Sequence, residues 1–416
     1  MRTLFTNILI FDGSGAASFA GEALVEGNRI KAVAKSPQRL ERGGAEIVDG
    51  GGATLMPGLV EAHAHLSWPS AFDRILNVPS LPPEEHLLIT ARNARITLDH
   101  GFTSAYSAGS LGARFEVALR DEIEGGWLPG PRLVASTMER APNQSFGLPK
   151  GHDEDHGRGP EAMRRYIAAC KEMRVDSVKL LLSGDDNFTP NGSQDIVYAE
   201  EEVAAAGEAA REHGLWLACH AQAAEAVKLG LRHGFRVLYH CSYADEEALD
   251  MLEAQKDRIF VAPAIGLAIG AIEADPSMGL PPGAVTRGKN ILGLQTKLVP
   301  ELRKRGVRVL PGGDYGFPHN PIGRNARDLE HFVRLLGYTP VEALVAATKW
   351  GGEIMGRPDE LGLVKPGYLA DLLLVKGDPT QDVRILQDAD NLLMIMKDGA
   401  YHKRPPRIEA ARLAAE

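Results

Sequence analysis

Residues 56–65 read Met56-Pro57-Gly58-Leu59-Val60-Glu61-Ala62-His63-Ala64-His65. The Pro-Gly pair signals a turn, and the apolar run after it ends in two histidines two positions apart. A strand sends residues i and i+2 to the same face, so His63 and His65 would leave one strand end together. On either side of this stretch the pattern differs. Upstream, an apolar run over 3–11 gives way to the turn Asp12-Gly13-Ser14-Gly15. Residues 23–33 then read as two short strands around Gly27-Asn28, and 46–49 and 53–55 continue in β. Downstream, apolar runs at 58–64, 102–107, 132–136, 177–182, 216–220, 236–240, 259–263 and 308–312 alternate with amphipathic segments at 160–174, 200–213, 223–233, 244–256 and 293–305. Eight buried strands alternating with helices predict a closed (β/α)8 TIM barrel of the α/β class.

Past a helical segment at 340–355, the pattern returns to β at 362–365, 371–375 and 392–397. The simplest arrangement is a small β-sandwich built from both ends of the chain. The expected boundaries are 1–55 and 359–408 for its two parts, 56–358 for the barrel and 409–416 for a tail.

Composition limits the function. Of 416 residues, 44% are hydrophobic and 24% charged, enough apolar material for a large core and too much for disorder. A net charge of −9 argues against general nucleic-acid binding and against an anionic membrane surface. Three cysteines (Cys170, Cys219, Cys241) exclude a disulfide framework and suit a reducing compartment. The opening residues lack the apolar run and cleavage site of a signal peptide, and no stretch is long enough to span a bilayer, so a cytoplasmic location is expected.

Other candidate residues share the position of the His pair. His220 and His240 each close an expected strand, and barrels gather their active groups at strand C-terminal ends. Imidazole is a common ligand for zinc and its neighbours. Asp314 closes the eighth run in Pro311-Gly312-Gly313-Asp314, where a carboxylate can contact a metal and accept a proton; a lone Asp after Gly is more often a turn residue. Lys179 lies inside the apolar run Ser177-Val178-Lys179-Leu180-Leu181-Leu182. A buried ammonium is costly unless paired or altered. An ion pair, a side chain reaching solvent, or an amine converted by CO2 into a carbamate each resolves that cost.

Together these residues resemble the metal-dependent amidohydrolase superfamily: HxH after strand 1, Lys on strand 4, His on strands 5 and 6, and Asp on strand 8. The resemblance extends from residue 1 to about 404. Residues 56–65 look like its strand-1 signature, Gly101-Phe102-Thr103-Ser104 like its strand-2 start, and the segment from Gly362 to Leu372 like its return into the β-sandwich. Order and spacing are most similar to the imidazolonepropionase-like and Xaa-Pro dipeptidase-like branch, which includes hydrolases of phenylureas, thiocarbamates and ochratoxin-type amides. The resemblance implies two divalent metal ions, zinc by default. His63, His65 and Asp314 would hold one and His220 and His240 the other, with carboxylated Lys179 and a hydroxide bridging them. It also implies hydrolysis of a C–N bond in a small molecule, with Asp314 as general base and then acid. Self-association into a homo-oligomer is an expectation by analogy.

Substrate contacts are less specific. Gln222 stands where dipeptidase relatives tend to have a Tyr, which weighs against a dipeptide. His152 and His156, in the segment after strand 3, and His319, soon after Asp314, are candidate pocket residues. Trp68, Phe72 and an apolar loop over 265–280 offer surface for a hydrophobic or aromatic group. His86, His100, His213, His233, His331 and His402 are expected at the surface. Three alternatives stay open: a dipeptidase or carboxypeptidase of the same fold, a non-catalytic binding or scaffold barrel, and a deaminase, which the strand-4 Lys disfavours.

Overall fold

In the computed structural model, which describes residues 2–71, 82–141, 157–185 and 192–406, the Pro57-Gly58 turn separates two strands, β5 (Thr54–Pro57) and β6 (Leu59–Ala64). A side chain at Gly58 would collide with Thr103, so only glycine lets the backbone pass there. The chain divides into two compact units, one of Met1–Val60, Thr97–Ser104 and Tyr338–Glu416, the other of Glu61–Ile96 and Ala105–Gly337.

The first unit joins both ends of the chain in one sheet. Its strands are β1 (Arg2–Ile10), β2 (Phe19–Glu26), β3 (Arg29–Lys35), β4 (Glu46–Asp49), β5 and three from the far end. In chain order the last three are numbered after the barrel strands: β13 (Leu372–Val375), β14 (Leu392–Lys397) and β15 (Ala400–Lys403). The order is β15-β14-β13-β5-β1-β2-β3, with β4 also paired to β1. The join between the two ends is β5 against β13, antiparallel, with Leu55 opposite Leu374. Phe5, Ile10, Leu55, Leu372, Leu374 and Met394 fill its core. Burial of such side chains is worth roughly 1.5–3 kcal/mol each.

The second unit carries most of the barrel. The barrel strands run from β6 and β7 (Phe102–Ser107), whose first residues are counted with the first unit, through β8 (Arg132–Val134), β9 (Ser177–Leu181), β10 (Trp216–Ala223) and β11 (Val237–Tyr243) to β12 (Phe260–Ala262). They form the runs β6-β7-β8 and β9-β10-β11-β12, and parallel bridges Ser136–Ser177 and Arg140–Leu180 join the two. The eighth strand is short. It is a parallel bridge of Val309 to Val261, with Val261 N donating to Arg308 O (3.0 Å) and Leu310 N to Val261 O (2.9 Å). The strands are buried on both faces, as parallel strands covered by helices must be. This is the expected α/β architecture, a (β/α)8 barrel with a small β domain.

Local differences have local causes. The apolar run over 265–280 is a helix, Ile265–Glu273, followed by a short turn of helix at Pro276–Met278, because its continuous Ile, Leu, Ala and Gly content is buried on several sides. The helix expected from 293 begins at Ala284 and runs to Lys304. Residues 340–355 form two helices, Pro340–Ala347 and Lys349–Ile354, broken at Thr348. The first starts with a capping box between Thr339 and Glu342. Residues 362–365 join no strand; Val364 N donates instead to Asp12 O. All three cysteines are free and buried. No described helix is long and apolar enough to cross a membrane.

Candidate metal centre

Strand β6 ends where the reading of residues 56–65 placed it, and His63 and His65 leave its C-terminal end into a buried basin. Asp314 joins them from the eighth strand. Ligand atoms of His63, His65 and Asp314 all lie within 4.8 Å of one another. Asp314 Oδ1 is 3.1 Å from His65 Nε2 and 3.7 Å from His63 Nε2. His65 Nδ1 donates to Gly109 O (2.9 Å), which fixes the neutral tautomer and leaves Nε2 facing the carboxylate. Neither ring nitrogen of His63 makes a hydrogen bond to a described residue, and its Nδ1 is fully buried. Two imidazoles and a carboxylate around an unpartnered nitrogen suit a divalent cation.

Asp314 is held by its backbone. It has φ 59, the left-handed region, while the glycines before it serve close approach. A Cβ on Gly312 would come within 2.8 Å of His63 Cβ. Asn320 Nδ2 donates to Gly313 O (2.7 Å) and Asp314 O (3.0 Å), and Gly312 N donates to Asp328 Oδ2 (3.1 Å). Asp328 Oδ1 in turn accepts from Tyr315 Oη (3.0 Å) and pairs with His331 Nδ1 (3.2 Å). On the other side, Glu61 accepts from Asn325 Nδ2 (2.7 Å) and from His63 N (3.0 Å).

The remaining sequence candidates stand next to this trio. Lys179 is fully buried on β9; its Nζ donates to Ala108 O (2.7 Å), lies 3.6 Å from Glu139 Oε2 and sits over the Tyr239 ring at 4.4 Å. His220 and His240, each three residues before the end of its strand (β10 and β11, which run further than the sequence suggested), have ring centroids 4.3 Å apart, and His240 is 5.3 Å from His63. His220 Nε2 donates to Gly184 O (3.2 Å). His240 also sits at a left-handed backbone position, φ 72, followed by Cys241 at φ 56. Such residues cost roughly 1–3 kcal/mol each and persist where the surroundings hold them. Here Gln295 Nε2 bonds to His240 O (2.7 Å) and Ser242 Oγ (2.9 Å).

Burial sets the protonation of the rings. It pushes His63 well below the usual histidine value, with the neighbouring His65, Lys179, His240 and His220 adding to the effect. Burial likewise carries His240 far down, helped by His220 and Lys179. Both rings are neutral bases at pH 7. For His65, burial also pulls down, but the hydrogen bond and charge of Asp314, with Glu139, outweigh it and the value rises.

The basin also contains residues that strand-end reasoning had not singled out: Glu139, Leu181, Asp185, Leu267 and Phe317. Glu139 lies just past the end of β8, where the strand-end rule applied to residues 132–136 could have found it. Trp68 lines the same basin, its ring 4.8 Å from His65 and 5.0 Å from Phe317. A second cavity adjoins the basin, sharing Asp185, His240, Leu267 and Phe317 with it and lined also by Gln222 and His319. Burial brings His319 down to about 4, with Asp314 opposing. His152, His156 and Phe72 lie outside the described residues. Two histidines expected at the surface are buried instead: His86 bonds Ser67 O (2.8 Å), and His331 braces Asp328. Each satisfies a buried polar group from a helix whose periodicity looked ordinary.

A profile of the amidohydrolase family matches residues 54–401. The chain belongs to the amidohydrolase family. Among curated proteins, it is similar to the ochratoxinase of Aspergillus niger, 25% identical over 381 residues that cover 84% of this chain and 76% of that one. It is also similar to the imidazolonepropionase of Deinococcus deserti, 25% identical over 366 residues covering 81% of each. Among solved structures, a Xaa-Pro dipeptidase with methionine bound in its active site superposes with TM-score 0.84 at 24% identity, covering 97% of this chain and all of that one, a likeness of fold. Amidohydrolases are typically metal-dependent, and the His63, His65 and Asp314 group could hold such an ion.

Proposed function

We propose that this amidohydrolase is a metal-dependent enzyme that hydrolyses a C–N bond, in an amide, urea or carbamate, of a small molecule bearing an aromatic or other apolar group. The observation that carries the reading is the convergence of His63, His65 and Asp314 within 4.8 Å, beside an apolar-walled cavity. His63, His65 and Asp314 would hold one divalent ion, zinc by default, and His220 and His240 a second. Lys179 would serve both after its neutral amine adds to CO2, forming the N–C bond of a carbamate and releasing a proton. Bound there, the ions supply Lewis acidity and a water that ionises near neutral pH.

The chain's own groups account for the rest. Asp314 is placed to take a proton at Oδ1 and return it to the leaving nitrogen. His63 and His240 are already neutral, so they bind cations without first losing protons. Trp68 and Phe317 give the basin an aromatic wall. Gln222, buried and with Oε1 unpartnered, offers an acceptor to a substrate N–H.

Metal analysis of the purified protein, with hydrolysis of a phenylurea, an N-acyl amino acid and a Xaa-Pro dipeptide before and after chelation, tests this. Turnover of either of the first two, lost on chelation and restored by zinc, is the expected result. Turnover of the dipeptide alone overturns the substrate class. No bound divalent metal, and no activity after metal addition, overturns the enzymatic reading.

A further inference from the structure

The start of a helix forms part of the cavity beside the basin. Past β12, Ala264 takes a left-handed φ of 59 and turns the chain into the nine-residue helix Ile265–Glu273. Ala264, Leu267 and Ala268 line the cavity, and Leu267 lines the basin as well, so the first turn stands where the two meet. No side chain caps this turn, and no acidic residue lies in it. Its first N–H groups have no partner within the helix and carry the helix's positive end, so they call for an acceptor. The same cavity is lined by Gln222, 8% exposed, whose Oε1 is buried without a partner and whose backbone N donates to Ser183 Oγ (2.9 Å). A buried carbonyl oxygen left unsatisfied is costly, and it calls for a donor. Gln222 does not line the basin, so the group it meets is not the one at His63, His65 and Asp314. The charged residues of the cavity, Asp185 and Arg287, are opposite in sign and both are engaged within the protein. Ile291 and Phe317 add to an otherwise apolar wall.

We infer that this cavity takes the part of the substrate that is not cut, and that this part is apolar and carries a second, neutral amide or urea group. The carbonyl oxygen of that group accepts from the N–H groups that open helix Ile265–Glu273, and its N–H donates to Gln222 Oε1. This rests on the reading of the His/Asp basin as the reacting end. The helix start offers donors and Gln222 offers an acceptor, and an amide satisfies both at once. A carboxylate satisfies only the first, having no proton to give Gln222. An ammonium satisfies only the second, and a plain hydrocarbon neither. Gln222 is thus a specificity residue, and it selects against a second group that is a tertiary amide, an ester or a ketone.

Calorimetric titration of the purified protein with N-methyl-4-phenylbutanamide and with 6-phenylhexan-3-one tests the assignment. The ketone keeps the carbonyl and the shape of the amide and replaces its N–H by CH2. The amide is expected to bind roughly tenfold tighter or more, the usual weight of a buried polar group left unpaired. Gln222→Met, similar in size, should abolish that preference. Leu267→Pro, which deletes one of the helix N–H groups, should weaken both ligands more than Leu267→Ala does and leave their ratio intact. Thermal unfolding of each variant shows whether it is folded. Should one not fold, the wild-type comparison and the remaining variant decide. A preference that is absent from the wild type, or that survives Gln222→Met, overturns the inference. So does tighter binding of 4-phenylbutyrate than of the amide, both with metal and after chelation, because the cavity would then select an anion. Either result leaves the hydrolase reading standing if the phenylurea or the N-acyl amino acid is still cleaved. Conversely, absence of metal binding and turnover sinks the hydrolase reading even when the amide preference follows Gln222.

Discussion

The two halves of the candidate centre differ in readiness. In the first half, His65 has its tautomer set by Gly109 O, His63 has no competing hydrogen bond to a described residue, and Asp314 is fixed by Asn320. These side chains stand as ligands do. In the second half, the same kinds of group are engaged with protein: Lys179 Nζ with Ala108 O and Glu139, His220 Nε2 with Gly184 O. The first half is the more nearly preorganised, with only the His65–Asp314 contact to displace, whereas the second would exchange several internal partners before it held an ion. On the proposed two-ion reading, the first ion's affinity would be built into the fold and the second's would depend on chemistry at Lys179.

The sharpest way to break that comparison is at Asp314, which belongs to the ready half and is the proposed proton carrier. Asp314→Asn should lower kcat/KM by about 10²–10⁴, the usual weight of a positioned general base, and should weaken the first ion as well. Steady-state kinetics with metal analysis checks both, and unchanged kcat/KM would remove Asp314 from the mechanism. Next, Lys179→Ala should leave the first ion and lose the second, so the metal-to-chain ratio should fall from about two to about one. Carbon dioxide added to a bicarbonate-depleted sample should raise second-site occupancy in the wild type only. A ratio of about one in the wild type itself, with no response to carbon dioxide, would leave Lys179 as a structural cation paired with Glu139.

A smaller effect separates the halves through their supports. Asn320→Ala frees the carbonyls of Gly313 and Asp314, and Gln295→Ala frees that of His240. Both residues hold backbone in the left-handed region rather than touching an ion. Each variant should weaken one ion about 10- to 100-fold, the range for partners that orient ligands. Asn320 should act on the first ion and Gln295 on the second, read by competition with a chromogenic chelator. Equal loss of both ions from either variant would mean the two halves form one cooperative unit.

These supports mark where sequence reading reaches its limit. The residues that meet in the basin were legible because strands have period two and barrels collect function at one end, so His63, His65, His220 and His240 could be brought together from local pattern alone. The β domain was legible from turns and short apolar runs, with Glu46–Asp49 and Leu392–Lys397 falling as expected. What holds the ligands was not, because Asn320, Gln295, Asp328 and His331 act through contacts with no periodicity. His331 shows why. On an amphipathic helix it reads as one polar residue among others, and only the approach of Asp328 gives it a buried task. The helix Ile265–Glu273 failed for the opposite reason: apolar nearly all round, it has no periodic stripe to distinguish it from a greasy loop.

The mildest prediction concerns the metal-free protein and its response to pH. His63, His240 and His319 have folded-state values below the ordinary histidine value, His319 at about 4. As pH falls below about 6.5, the unfolded chain takes up protons at these positions that the folded chain refuses, so stability declines. The share from His319 alone approaches roughly 3 kcal/mol by pH 4. Glu61 and Glu116 act in the other direction. Burial raises them to about 8 and about 7, so the folded chain keeps protons that the unfolded chain releases above about 4.5, and stability declines as pH rises toward 8. Below pH 6.5 the three histidines outnumber the two carboxyls, and above it the two carboxyls and the raised His65 all lower stability as pH rises. Metal-free stability should therefore peak near pH 6.5. Urea unfolding from pH 4 to 9 should show both limbs, with His319→Gln flattening the acid side and Glu61→Gln the alkaline side. Bound metal should steepen the acid limb, since imidazoles that hold an ion must lose it before they protonate. An acid limb identical with and without metal would show that the histidines of the ready half do not hold the ion.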